Sequence, residues 1–258
     1  MNEPVHITSR DNPLLVRLRK LAQDATAYRK QGQVWLEGDH LCSALVQRGC
    51  SAAQAVVSDS GWQDRRLRQL ASHAAKVAVV PDALFAGISG LESPAAIGFV
   101  LDLPASPVLR PAVPTVVLDR LQDAGNVGSI LRSASAFGFV QVLALKGTAA
   151  LWLPKVLRAG MGAHFALQLV EGLDEGALAA LQLPLVATSS HASSEVSRVP
   201  LPSPCAWVLG HEGRGVSDAL LARCTLQLRI PQPGGEESLN VAAAAAVCLY
   251  ESARQRAQ

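Results

Sequence analysis

Three short polar stretches stand out in a chain dominated by alanine, leucine and valine. The first is Asn126-Val-Gly-Ser-Ile-Leu-Arg132. Asn126 can open a helix as its cap, and Gly128 allows close packing. Arg132 has Ile130, Leu131 and Ala134 as neighbours, and a guanidinium placed among them calls for an anion, because burying it unpaired is costly. That anion is either Asp119 or Asp123, in a structural salt bridge, or a ligand phosphate, which suits a planar fork of donors. The second stretch, Gly210-His-Glu-Gly-Arg-Gly215, sets Glu212 among glycines that let backbone approach a ligand closely. It is neither a GxGxxG after a first strand nor a P-loop, since no Gly-Lys-Ser/Thr follows. His211 alone reads as an ordinary histidine. The third stretch runs from Ile230-Pro231 through Ser238-Leu-Asn240-Val241 into the run Ala242 to Ala246. Ser238 is the candidate N-cap, and Glu236 and Glu237 sit where a helix dipole favours negative charge. Ser238 and Asn240 then place two polar side chains at the mouth of an apolar helix, either for capping or for a ligand.

Each stretch follows a predicted strand, and those strands alternate with helices. Apolar runs at 115–118, 140–145, 165–170, 185–188, 206–209 and 226–230 predict buried strands. Helices are expected at 126–137, 152–163, 174–181 and 217–223, and from Ser238 to the end of the apolar run at Tyr250. Continuous apolar strands between helices imply an α/β fold with a mostly parallel sheet covered on both faces. Open sheets of that kind bind ligands beyond the carboxyl ends of their strands, where all three stretches lie.

A smaller α/β unit precedes them. Leu14, Leu15, Leu18 and Leu21 recur at helical spacing, and short strands are expected at 34–37, 55–57, 77–80 and 97–100. Arg17, Arg19, Lys20, Arg29 and Lys30 form either a solvated surface or an RNA-facing patch. Four prolines between Leu103 and Pro114 mark a linker. The expected division is 1–103, a linker at 104–113, and 114–258.

Composition narrows the class. Hydrophobic residues make up 49% and charged residues 17%, enough apolar content to build a core, which excludes a disordered chain. The net charge of +2 neither requires nor forbids a nucleic-acid partner. The five cysteines include no CxxC pair, which argues against a metal or disulfide framework and fits a reduced, cytoplasmic setting. No apolar run reaches membrane-spanning length, and the first residues hold no apolar signal core.

In order and content, the three stretches resemble the motifs of the SpoU (TrmH-like) RNA 2′-O-ribose methyltransferases of the SPOUT class, over residues 114–258. Residues 1–103 look, more loosely, like that family's ribosomal-protein L30e-like substrate-binding domain. The resemblance implies a sheet with a deep C-terminal trefoil knot, S-adenosylmethionine bound in a bent pose without a metal, and a homodimer with its active site at the subunit interface. By motif position it implies a catalytic group of Asn126, Arg132, Glu212, Ser238 and Asn240. The cofactor would be held by Thr188, Leu209, Gly210, Ile230 and Leu239. The implied substrate is ribosomal RNA ahead of transfer RNA. A non-catalytic RNA-binding or assembly factor on the same fold is the alternative from another class. Ala124, Gln232 and His211 depart from the family's common Pro, Met and Asn or Ser.

Overall fold

Alternating strands and helices build two separate sheets in a computed structural model that describes residues 3–103, 107–235 and 238–257. Glu236 and Glu237, the acidic pair expected at a helix mouth, lie outside the described residues, as do 104–106 of the expected linker. The chain divides into two units, Met1–Ala105 and Ser106–Gln258.

In the first unit the elements run β1 (Val5–His6), α1 (Pro13–Gln23), α2 (Ala27–Gln31), β2 (Gln33–Glu37), α3 (Asp39–Gln47), β3 (Gln54–Ser58), α4 (Asp59–Gln63), α5 (Arg65–Ala71), β4 (Val77–Val80), α6 (Asp82–Ala86) and β5 (Ile97–Asp102). The sheet order is β1-β4-β3-β5-β2, with β5 antiparallel to both its neighbours. Asn12 caps α1 through Leu14 N–H, Pro13 occupies its first turn, and Leu14, Leu15, Leu18 and Leu21 are all buried, as their spacing predicts.

The second unit runs β6 (Thr115–Leu118), α7 (Ala124–Ala136), β7 (Gln141–Leu145), α8 (Pro154–Gly160), β8 (Gln168–Leu173), β9 (Leu185–Thr188), β10 (Ser194–Glu195), β11 (Ala206–Leu209), α9 (Asp218–Leu221), β12 (Leu226–Arg229) and α10 (Val241–Arg256). Its seven strands are ordered β10-β12-β9-β11-β6-β7-β8, and every pairing is parallel. Alternate residues of each strand face opposite layers. Val116, Leu118, Trp207 and Leu209 pack with Val127, Ile130 and Leu131 of α7 and Ala245, Cys248 and Leu249 of α10. Val117, Leu143 and Val208 pack on the other face with Leu178 and with Leu220 of α9. Two buried faces explain why the strands read as continuous apolar runs. The proline-rich approach to β6 is tied down: Arg110 N–H donates to the buried Gln141 Oε1 at 2.7 Å, and Gln141 Nε2 donates to Arg110 C=O at 3.0 Å. Among the described residues, no helix is long and apolar enough to cross a membrane.

Several predicted boundaries move. The helix expected at 152–163 stops at Gly160, because Met161 (φ 49°) and Gly162 (φ 85°) turn left-handed. The one expected at 174–181 is a 3₁₀ segment, Glu175–Ala180, and the strand expected at 165–170 forms at Gln168–Leu173. Two caps are reassigned. Asp123, not Asn126, caps α7 by accepting from Asn126 N–H at 2.8 Å. Asn240, not Ser238, caps α10 by accepting from Ala242 and Ala243 N–H at 2.9 and 3.3 Å. In both cases a carboxylate or amide with the reach to bond the N2 or N3 N–H takes the cap.

Helix α7 meets α8 at Gly128. A Cβ there would lie 2.5 Å from Ala159 Cβ, 2.7 Å from the Val156 carbonyl and 2.9 Å from the Gly160 nitrogen. Helix propensity favours alanine over glycine by about 1 kcal/mol. Overpacking against backbone costs roughly 1–3 kcal/mol and should win. Gly128→Ala is therefore expected to lower the denaturant midpoint, and a midpoint at or above wild type would show that α8 yields.

Candidate active site

Four adjacent strands, β12, β9, β11 and β6, end at the same edge of the parallel sheet. At about 4.8 Å per strand they span roughly 14 Å. The sheet's winding reverses between β11 and β6, the position at which open sheets of this kind bind ligands.

Tight backbone contacts shape the loops there. Gly210 ends β11, and a Cβ there would fall 2.1 Å from both Gly215 C and Val216 N, so only glycine fits. His211 and Gly215 exchange backbone hydrogen bonds of 3.0 and 2.8 Å, closing the loop, and Gly213 N–H donates to His211 Nδ1 at 3.0 Å. The histidine therefore has a local role in the turn. At the end of β6, fully buried Asp119 accepts from Arg120 Nε and Nη2 at 2.7 and 2.9 Å and from Ser217 N–H at 2.8 Å. Asp119 thus pins the far end of the glycine loop to β6. Arg120 takes a left-handed backbone (φ 59°), uncommon for a residue with a side chain and a place where strain is stored. Sequence reasoning missed this Asp119–Arg120 clamp. Its signal was an Asp-Arg pair directly after four apolar strand residues.

One hydrogen-bond chain joins all three polar stretches. Glu212 accepts from Gln122 N–H (3.2 Å), Asp123 N–H (3.0 Å) and Asn126 Nδ2 (3.3 Å). Asn126 Oδ1 accepts from Asn240 Nδ2 at 3.0 Å, and Asn240 Oδ1 caps α10. Each amide is oriented by its neighbours, and each keeps one N–H free of the chain. Burial of the Glu212 carboxyl pushes its pKa up, but the N–H groups of Glu212, Asp123 and Gln122 and the Asn126 amide outweigh it, so the net shift is down. A carboxylate held this way is a brace and a poor proton acceptor.

The remaining predicted residues fall into two sets. Arg132 and Ser238 are exposed, and neither has a hydrogen bond or ion pair among the described residues. The expected partners of Arg132 are taken: Asp119 by Arg120, and Asp123 by the α7 cap and, at 3.6 Å, by Lys155. Arg132 therefore points to solvent, because its side of α7 is not part of the apolar contact with the sheet. At these strand ends, Thr188 ends β9, buried Leu209 ends β11 with buried Gly210 after it, half-buried Ile230 follows β12, and Leu239 is 42% exposed. In the same loop Gln232 Oε1 is buried and has no hydrogen-bond partner among the described residues. Apolar side chains and closely approaching backbone are what an adenosine-sized group needs, so the residues present fit a nucleoside cofactor.

Residues 114–250 match the SpoU rRNA Methylase family. The chain is 34% identical to an uncharacterised tRNA/rRNA methyltransferase of Synechocystis sp., covering 97% of this chain and 94% of that protein. It is 30% identical to the 23S rRNA (guanosine(2553)-2′-O)-methyltransferase RlmP of Bacillus subtilis, over 83% and 86%. Among solved structures it resembles the SpoU methyltransferase AviRb from Streptomyces viridochromogenes in complex with AdoMet, with a TM-score of 0.82, 25% identity, and coverage of 95% and 99%.

The lowered Glu212 pKa has a pH signature. A depressed carboxylate contributes stability that is present above its ordinary value of 4.5 and lost as pH falls through the folded value. Glu212→Gln should remove that contribution and offer an N–H to three donors. Melting temperatures from pH 7 down to 3 should therefore converge for the two proteins at the acid end. A constant gap at every pH would contradict the brace.

Proposed function

The chain belongs to the SpoU rRNA methylase family, and on that premise we propose that it is an RNA ribose 2′-O-methyltransferase using S-adenosylmethionine. The ribosomal substrate follows the names of its 23S rRNA relatives, ahead of transfer RNA. The observation that carries the activity is the chain Glu212–Asn126–Asn240. It ties three distant stretches of sequence together at the ends of β6, β11 and β12.

The cofactor, held by Thr188, Leu209, Gly210, Ile230 and Leu239, supplies an activated methyl group on a sulfonium. The protein's tasks are alignment of the 2′-hydroxyl and provision for its proton. The unused N–H groups of Asn126 and Asn240 face that task as donors to ribose or phosphate oxygens. Ser238 adds a hydroxyl at the same helix mouth. Arg132, permanently protonated, cannot serve as base; it clamps the neighbouring phosphate, and the hydroxyl proton leaves to a phosphate oxygen or water. Glu212 holds the asparagines in register and takes no proton.

The same reading covers the assembly. Residues 1–103 form the substrate-binding domain and 114–258 the methyltransferase domain. A C-terminal trefoil knot is part of it, supported by β12 lying between β9 and β10 ahead of α10. The five free thiols suit a cytoplasmic setting. Exposed Val247 and Tyr250 on α10, 41% and 53% accessible, sit by the alanine run and support a homodimer through that helix. Light scattering should give twice the chain mass at concentrations where the enzyme turns over, and a monomer there would exclude the dimer.

Arg132 separates the roles most sharply. Arg132→Ala should fold, bind S-adenosylmethionine by calorimetry, and lose about 10²-fold or more in single-turnover methyl transfer. Arg132→Lys should recover part of that loss, because it keeps the charge but not the fork. Full rescue by lysine with a shifted pH profile would make the residue a base. A large fall in melting temperature with near-normal turnover would make it structural.

A further inference from the structure

The glycine loop after β11 contains a titratable side chain that methyl transfer leaves unused. His211 lies between Gly210 of the cofactor wall and Glu212, the brace of the two asparagines. Gly213 N–H donates to His211 Nδ1 at 3.0 Å. A backbone N–H can bond only a lone pair, so Nδ1 is unprotonated here and the neutral ring carries its proton on Nε2. The imidazole is thus an acceptor for the backbone two residues on, the task an Asn side chain performs in an Asx turn. Backbone bonds of 3.0 and 2.8 Å between His211 and Gly215 close the wider loop, and the Nδ1 bond fixes its tip, where Glu212 lies.

Protonation turns that acceptor into a donor. An imidazolium carries N–H at both nitrogens, so Nδ1–H would face Gly213 N–H across 3.0 Å and the ring must turn away. The charged groups around the loop are Glu212 and Arg214 within it, Asp119 and Arg120 after β6, Asp123 before α7 with Lys155 of α8, and Asp218 at the start of α9. Asp119 is held by Arg120 and Ser217, Asp123 by the α7 N-terminus and Lys155, and Glu212 by Gln122, Asp123 and Asn126. Among the described residues, the bond from Gly213 is the one the imidazole makes.

We propose that His211 is a positioning residue: its unprotonated Nδ1 folds the loop that sets Gly210 against S-adenosylmethionine and Glu212 against Asn126, and protonation loosens both. The inference rests on the methyltransferase reading. It makes the site proton-sensitive through a side chain that neither gives nor takes a proton in the reaction. Histidine side chains change charge between about pH 5 and 8. The Glu212 carboxyl, held below its ordinary value of 4.5, stays ionised through that window, so the two effects separate on the pH axis. The size of the effect is modest. Gly213 is exposed, so water can take up its N–H, and losing the bond changes affinity by about fivefold. Protonation adds a donor–donor clash to that loss, and its effect is at least as large.

The test measures S-adenosylmethionine binding to the full chain by calorimetry at about pH 8 and about pH 5.5, the two sides of the histidine range. His211→Asn keeps an acceptor at the turn but does not titrate, and His211→Ala removes the acceptor. Between the two conditions wild type should lose about fivefold or more in affinity relative to His211→Asn, which shares every other titrating group, the cofactor's included. His211→Asn should keep most of the wild-type affinity on the alkaline side, and His211→Ala should be weak on both. Imidazole nitrogen NMR, assigned by the signals missing from His211→Asn, should show Nδ1 bare and Nε2 protonated on the alkaline side. The Gly213 amide signal should move as His211 titrates. Parallel pH profiles for wild type and His211→Asn, wild-type affinity in His211→Ala, or a proton on Nδ1 on the alkaline side would overturn the role of His211 while leaving the methyltransferase reading intact. No heat of binding from wild type under either condition, with the NMR signature present, would overturn the methyltransferase reading and the cofactor role of the turn with it.

Discussion

The direction of one hydrogen-bond chain constrains the site. A carboxylate can only accept, so Asn126 must turn its amide nitrogen toward Glu212 and its oxygen toward Asn240. Asn240 must then present its nitrogen to Asn126 and its oxygen to the first turn of α10. The orphan N–H groups at the start of α10 and the backbone N–H groups before α7 stand at the two ends of this relay, each the positive end of a helix dipole. Reversing either amide would set donor against donor at one junction and acceptor against acceptor at the other. Individually such partly exposed bonds contribute only about 1 kcal/mol each. Their importance is geometric, since together they choose one arrangement of three loops.

That relay can form only because the sheet brings its members to one edge. With every strand of the second unit parallel, the loops after β6, β11 and β12 all emerge on the same side. The apolar layers on both faces hold the strands in register, and Asp119 and Gly210 set the fine spacing. Asp119 does so as a buried carboxylate with three donors, Gly210 by having no side chain where Gly215 and Val216 pass. The conformational cost at Arg120 is local, and the ion pair with Asp119 that raises the Arg120 pKa is what offsets it.

Both units hold paired and unpaired buried polar groups. In the second, the buried or bridging groups are mostly paired: Gln141 with Arg110 and Thr115, Trp207 with Ser252, and Glu251 with Arg254 and Gln255. Among the described residues, unpaired buried atoms remain in both units: Arg17 Nε, Gln31 Oε1 and Trp35 Nε1 in the first, His164 Nδ1 and Gln232 Oε1 in the second. A satisfied network specifies one rigid arrangement, whereas an unpaired buried polar group is costly.

Local sequence carries pattern and order, and those were legible. Continuous apolar strands announced a sheet covered on both faces, the leucines of α1 announced its buried stripe, and the polar stretches following strands announced loops gathered at one edge of the sheet. Glycine at 210 could be read as close backbone approach because only one side chain is that small. What local sequence cannot carry is the pairing of groups far apart along it. Asn126 was the expected cap of its helix until the helix start at Ala124 gave that place to Asp123. Ser238 and Asn240 competed in the same way, and the amide that also reaches Asn126 became the cap. Asp119 and Asp123 were plausible partners for Arg132 until Arg120 and the α7 N–H groups occupied them. Hydrogen bonds fall off within a few tenths of an ångström and depend on angle. Their assignment therefore waits on the tertiary packing that sets distance and direction, and only that packing decided which polar residues brace the site and which face outward.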